Sequence, residues 1–159
     1  MRCSPIHTKE VTRIMTHKSV FDQISDDGVP GVEHMEKYVN AFLHNVGTYV
    51  LMPILGMVTL YVPVNHVMYD IHVASIKNEV HRRKIRGAML DSLLWMADRT
   101  SVQKYIISVP VIYPAAASIC RKMRFTKEGH LTSAYLKNGN LCDIELYCTS
   151  RSDVLKQRR

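Results

Sequence analysis

Ile71-His72-Val73-Ala74-Ser75-Ile76-Lys77-Asn78-Glu79-Val80-His81-Arg82-Arg83-Lys84-Ile85-Arg86-Gly87-Ala88-Met89-Leu90 is the stretch whose reading decides the fold. Its first residues are β-branched, as strand residues are. A basic loop, His81 to Gly87, follows. Helical spacing then sets in from about Ile85 to Arg99, with Met89, Leu93 and Met96 on one face. A donor-rich loop running into a helix N-terminus is how a fold holds a phosphate. Beyond it, Tyr105 to Val109 reads as a strand and Ala115 to Met123 as a short helix, before Arg124-Phe125 and Gly129. The whole run is β-α-β-α.

Upstream, Val11, Ile14 and Met15, then Val20, Phe21 and Ile24, place two short helices within residues 9 to 25. Ser25-Asp26-Asp27-Gly28-Val29-Pro30-Gly31 is a loop, and a third helix spans residues 32 to 44. From Gly47 the period changes. Tyr49 to Leu51, Gly56 to Val62 and Val67 to Ile76 read as strands joined by Pro53-Ile54-Leu55-Gly56 and Pro63-Val64-Asn65-His66, an antiparallel meander. Downstream, strands over 131 to 136 and 141 to 148 flank Asn138-Gly139, a type I′ hairpin signal. The expected fold is α+β: N-terminal helices, a meander, β-α-β-α and a closing hairpin, in a mixed sheet. One domain is expected over residues 1 to 150, followed by a basic tail over 151 to 159.

A chain of 159 residues is long enough for one domain with a proper core. The formal charge of +7 is concentrated in residues 81 to 86 and in the tail from Arg151. An anionic small molecule fits the first cluster better than a duplex does, since no zinc-finger spacing, RNA-binding aromatic signature or helix-turn-helix is present. No apolar run is long enough to span a membrane, and Met1-Arg2-Cys3-Ser4-Pro5 leads into no signal-like apolar block. Cys3, Cys120, Cys142 and Cys148 lack CxxC spacing, so reduced thiols, a cytoplasmic location and no metal site are expected.

These elements resemble the GNAT superfamily of acyl-CoA-dependent N-acetyltransferases over about residues 47 to 148. The family motif R/Q-x-x-G-x-G/A, between a strand and a helix, falls on His81-Arg82-Arg83-Lys84-Ile85-Arg86, with Gly87 and Ala88 opening the helix. The later pattern N-x-x-A-x-x-x-Y-x-x-x-G-F falls on Tyr113, Ala116, Cys120, Arg124 and Phe125. Ile76, Ile85, Ala88, Leu90, Ala116, Phe125 and Gly129 match. His81, Lys84, Arg86, Tyr113, Cys120 and Arg124 depart, and Lys84 and Arg86 stand on both loop glycines.

The resemblance implies transfer of an acetyl group from acetyl-CoA to the amine of an unspecified acceptor. It places cofactor contacts at Ile76, His81, Arg82, Arg83, Lys84, Ile85, Arg86, Gly87 and Ala88, with side-chain charge substituting for bare backbone. Asp70 falls where the family carries a general base. His72, two residues on, shares its strand face. Cys120 stands at the general-acid position, with Tyr113 a competing donor. Pro110 lacks an amide hydrogen, so sheet pairing is expected to fail near Val109-Pro110-Val111, where the family's sheet splays for the pantetheine arm.

A second expectation comes from the departures: an inactive binding or assembly protein that keeps the fold and engages a protein partner. Ile14-Met15-Thr16-His17 and Ile24-Ser25-Asp26-Asp27-Gly28 also resemble GNAT-like proteins of tailed bacteriophages, which implies a virus-encoded virion or head-assembly component.

Overall fold

The computed structural model describes residues 8–28, 31–77, 80 and 82–158. Three helices come first: α1 (Thr8–Thr16), α2 (Lys18–Ile24) and α3 (Val32–His44). The meander is β1 (Tyr49–Leu51), β2 (Met57–Pro63) and β3 (Met68–Ser75). Then come α4 (Arg82–Arg99), β4 (Lys104–Pro110), α5 (Pro114–Lys122), β5 (Thr126–Lys137), β6 (Asn140–Ser150) and α6 (Arg151–Leu155). The strands form one six-stranded sheet in the order β1-β2-β3-β4-β6-β5. All neighbours are antiparallel except β3 and β4, which α4 joins as a parallel crossover. This is the α+β mixed sheet expected from the sequence.

The sheet separates two cores. Tyr61, Ile71, Tyr105, Ile107, Val109 and Tyr147 point to one face, against α4, α5 and α6. Val50, Val58, Leu60 and Ala74 point to the other, against Val11, Ile14, Met15, Val20 and Val39 of the N-terminal helices. On α4 the buried stripe runs Ala88, Met89, Ser92, Leu93, Met96, Ala97, the spacing of one helical face. Ser92 is the polar member. It bonds the Tyr61 hydroxyl and lies 3.1 Å from the Thr59 hydroxyl, so the buried oxygens are partnered.

Four details differ from the sequence reading. First, α4 starts at Arg82 rather than near Ile85. Ile85 packs on the core one turn before Met89, which extends the apolar stripe and draws the basic residues into the helix. Second, residues 151 onward are not a tail beyond the domain. Ser150 caps α6, Val154 is fully buried, and the Arg151 guanidinium donates to the Ala97 carbonyl at 2.8 Å. Third, β5 begins five residues earlier than 131 because β6 supplies a partner from Cys148 onward; two register shifts break its alternation.

Fourth, Pro110 does not end the pairing. β4 pairs with β6 through Pro110↔Ile144, and the Val111 amide donates to Asp143 at 3.0 Å. The 111–143 bond fixes the alternation: odd residues of β4 turn their amides toward β6 and even residues turn away. The nitrogen of Pro110 therefore faces the β3 side, where no ladder partner exists for it to miss.

Arg124, which the resemblance sets on a glycine position, has φ 61. It sits just past α5 in a Schellman arrangement, with Phe125 N–H donating to the Cys120 carbonyl and Arg124 N–H to Arg121, both at 3.0 Å. A residue with a Cβ is strained in that left-handed conformation by about 1–2 kcal/mol. Replacing Arg124→Gly is expected to stabilise the protein by about 1 kcal/mol, read as a higher urea midpoint at unchanged slope. A lower midpoint would show that the arginine side chain contributes more than its backbone costs.

Candidate functional site

The parallel ladder between β3 and β4 lasts three residues: Met68↔Lys104, Tyr69↔Tyr105 and Asp70↔Ile106. β3 runs on to Ser75 alongside β2, and β4 runs on to Pro110 alongside β6, so the sheet forks. The Val64 amide bonds to the Met68 carbonyl at 2.9 Å, so even residues of β3 direct their backbone to β2 and odd residues direct theirs to β4. Past the last pair, the Ile71 carbonyl, the Val73 amide and carbonyl, and the Ser108 amide and carbonyl face the gap. Beyond the seam, backbone donors and acceptors of the two strands thus face one another without a ladder between them.

Asp70 stands at its apex. Its carbon chain points away from Ile71 and the α4 core, toward the face that carries α1, α2 and α3. The side chain is 26% exposed, yet Oδ1 is buried and has no hydrogen-bond partner among the described residues. Burial pushes its pKa up, opposed by His72. His72 shares the strand face, with Nε2 3.5 Å from Asp70 Oδ2, and is half exposed. The sequence-predicted pair is therefore brought together.

At the mouth of the fork, α4 begins. Its first turn carries no acidic residue. Arg83, Lys84 and Arg86 are exposed, so a helix start that is already positive gains further positive charge. Gly87 lies inside the helix with open space where a Cβ would be. Ile85 packs on the core, Ala88 is buried beneath it, and Ile76 is buried on the opposite face among the N-terminal helices. These three hold the fold around the cleft. His81 lies outside the described residues, as does the side chain of Arg82.

Cys120 and Tyr113 separate. Cys120 is 3% exposed within the α4–α5 core, and burial pushes its thiol up to about 11. Tyr113 precedes α5 at the open end of the fork and meets Tyr135 edge-on at 6.4 Å. Tyr135 belongs to a clasp that the sequence did not reveal. Its hydroxyl and the Lys137 ammonium donate to the Ser25 carbonyl at 2.9 and 2.7 Å. The Asp27 carboxylate accepts from the amides of Asn138 (2.9 Å) and Gly139 (2.7 Å). Those amides hold the Asp27 pKa below the usual carboxylate range. The clasp ties the loop after α2 to the hairpin tip, whose Asn138 and Gly139 have the positive φ values of a type I′ turn.

Among the described residues no group of three or more His, Cys, Asp or Glu side chains could hold a metal ion. Nor is any helix among them long and apolar enough to cross a membrane.

No protein-family model matches the chain, and no curated protein matches it. Solved structures do. Spermidine N-acetyltransferase from Vibrio cholerae, in complex with CoA and spermine, superimposes with a TM-score of 0.80 at 14% identity, over 98% of this chain and 96% of that one. A chimera of the Vibrio cholerae spermidine N-acetyltransferase with hSSAT gives 0.79 at 14% identity, over 99% and 97%. Mutant forms of the Vibrio cholerae spermidine/spermine N-acetyltransferase give 0.77 at 14% identity, over 99% and 95%. This likeness shows that the chain shares the fold of these N-acetyltransferases, as its resemblance to the GNAT superfamily implies.

The setting of Asp70 has a measurable consequence. A carboxyl whose folded pKa lies above its unfolded value favours folding below the unfolded pKa, and that contribution is lost as pH rises through the folded pKa. Asp70→Asn removes the charge. It is therefore expected to raise the urea midpoint at pH 7, with the gain vanishing below pH of about 4, where the unfolded carboxyl is protonated as well. A loss of stability at pH 7 would contradict the reading of Asp70 as an under-partnered buried carboxylate.

Proposed function

We propose that this protein is an acyl-CoA-dependent N-acetyltransferase, moving an acetyl group from acetyl-CoA to an amine. The observation that carries the proposal is the fork, with Asp70 at its apex and the positive start of α4 at its mouth. The unpaired strand edges offer hydrogen bonds to an extended amide-bearing arm of the pantetheine kind. The α4 N-terminus with Arg83, Lys84 and Arg86 offers charge to a pyrophosphate. Lys84 and Arg86 stand where the family has glycines. They project from the helix surface, so anion binding here relies on their ammonium and guanidinium groups as well as on the helix amides.

Bound acetyl-CoA would supply a thioester carbonyl carbon for the amine to attack. Asp70 binds the incoming ammonium, takes its proton on the free carboxylate oxygen and passes it through His72 to solvent. The Ser108 amide, facing the gap, is placed to donate to an oxygen that gains negative charge. Tyr113, at the open end, is the phenol available to protonate the departing thiolate. Cys120 packs the core in this scheme and takes no part in proton transfer.

A second reading, a fold-only binding or assembly protein, is favoured by the two replaced glycines and by the buried thiol at the general-acid position. On that reading the chain would act through a protein partner, as a virus-encoded assembly component would.

Calorimetry separates the two. The transferase reading expects saturable acetyl-CoA binding that weakens with salt. Lys84→Glu is expected to weaken it about tenfold (about 1.4 kcal/mol) while stabilising the ligand-free protein by about 0.3–1 kcal/mol, because an acidic group suits the helix start. Asp70→Asn should leave acetyl-CoA affinity unchanged and lower kcat by about 10²–10⁴-fold. No binding at millimolar acetyl-CoA would overturn the transferase reading in favour of the second.

A further inference from the structure

We propose that the acceptor is a monoamine with an apolar body, an alkyl or aryl amine, and not a polyamine. This inference rests on the acetyl-transfer reading and concerns the face from which Asp70 is reached.

Strand alternation defines the floor of that face. Tyr105, Ile107, Val109 and Tyr147 point into the α4–α5 core, so Ile106, Ser108 and Pro110 of β4, with Ile144, Leu146 and Cys148 of β6, point the other way. The N-terminal helices cover β1, β2 and β3 on this face, where Val50, Val58, Leu60 and Ala74 are buried. That cover does not extend over β4 and β6: Ile106, Pro110, Ile144 and Leu146 remain half-buried, and Ser108 is exposed. From the level of Asp70, paired with Ile106, to Pro110 the strip is four residues long, about 13 Å. Tyr135, held by Ser25, and its edge-on partner Tyr113 stand at the far end. The result is an apolar strip with one carboxylate at its start.

The charges around the strip match a single ammonium. Asp70 Oδ1 is buried and has no hydrogen-bond partner among the described residues. The other acidic groups nearby keep their charge but stand beyond the strip or beside a cation. Glu128 pairs with Lys104, and the Asp27 carboxylate is taken by the Asn138 and Gly139 amides. Asp26 accepts from the Gly28 amide at 2.9 Å, and the Lys137 ammonium sits on the adjoining Ser25 carbonyl. Asp143 is held by the Ser133 amide and His130. Between Asp70 and Tyr135, a second ammonium on the acceptor would therefore lie over Ile and Leu side chains with no adjoining counter-charge among the described residues, and desolvating an unpaired ammonium is costly. A hydrocarbon body in the same place loses water-exposed apolar surface, which is favourable.

The test uses the full chain with acetyl-CoA and a matched pair of acceptors, hexylamine and 1,6-diaminohexane, together with phenethylamine and spermidine. CoA release is followed at constant ionic strength. The expected result is a kcat/KM for hexylamine and phenethylamine at least tenfold above that for 1,6-diaminohexane and spermidine. Leu146→Glu places a carboxylate on the half-buried floor beside Ser108, its partner in β4. It should reverse the order within the matched pair, with its melting curve confirming a folded protein. Equal rates, or faster turnover of the diamine or spermidine by the wild-type chain, would overturn the acceptor assignment and leave the transferase reading standing. Acetyl-CoA binding without turnover of any of the four amines would likewise overturn the acceptor assignment. Failure to bind acetyl-CoA would remove both.

Discussion

The three-residue parallel ladder between β3 and β4 is the constraint on which the structure depends. Each of those strands has a stronger commitment elsewhere. β3 pairs with β2 along its whole length, and β4 does the same with β6. Two antiparallel half-sheets are thus joined by a short parallel seam, and parallel pairing is slightly the weaker kind. Twist within each half carries the strands apart beyond the seam. Helix α4 makes the divergence tolerable. Its stripe from Ala88 to Ala97 packs across both halves, so burial on one face holds together what backbone pairing does not.

A fork of this kind leaves backbone groups that want partners, since unpaired polar groups away from water are costly. The same logic applies to Asp70 Oδ1, and the basic residues at the start of α4 add positive charge at the positive end of its own helix dipole. These three features follow one another from β3 into α4: the carboxylate at the apex, the strand edges past the seam, and the positive helix start. A ligand with an amine at one end, amides in the middle and phosphates at the other would relieve all of them, and an amine together with acetyl-CoA has that layout.

Much of this was legible in the chain, for local reasons. The periods of β2, β3 and α4, the Asn138-Gly139 turn and the sharing of one face by Asp70 and His72 follow from residue spacing alone. The φ of 61 at Arg124 agrees with the glycine that the resemblance sets at that position. Other features depend on contacts distant in sequence. The Asp27 clasp joins residues 111 and 112 positions apart, and neither end carries a pattern that names the other. β5 is an edge strand with register shifts and exposed side chains, so its alternation is weak. Helix α6 is read as a basic tail because arginines and lysines outnumber Val154 and Leu155, the apolar residues that anchor it. Pro110 pointed to a real opening for an incorrect reason: the opening begins at Ile106, and the proline borders it without causing it.

Amide exchange at Ser108, followed by NMR as acetyl-CoA is added, tests the central claim most directly. Ser108 is the residue of β4 between Ile106 and Pro110 whose backbone faces the fork. With the cleft holding the donor, its amide shifts on titration and exchanges more slowly at saturation. The Val73 amide, on the facing strand, moves with it, and the Val109 amide, bonded toward β6, changes little. An unmoved Ser108 amide in the presence of saturating or millimolar acetyl-CoA would contradict the account.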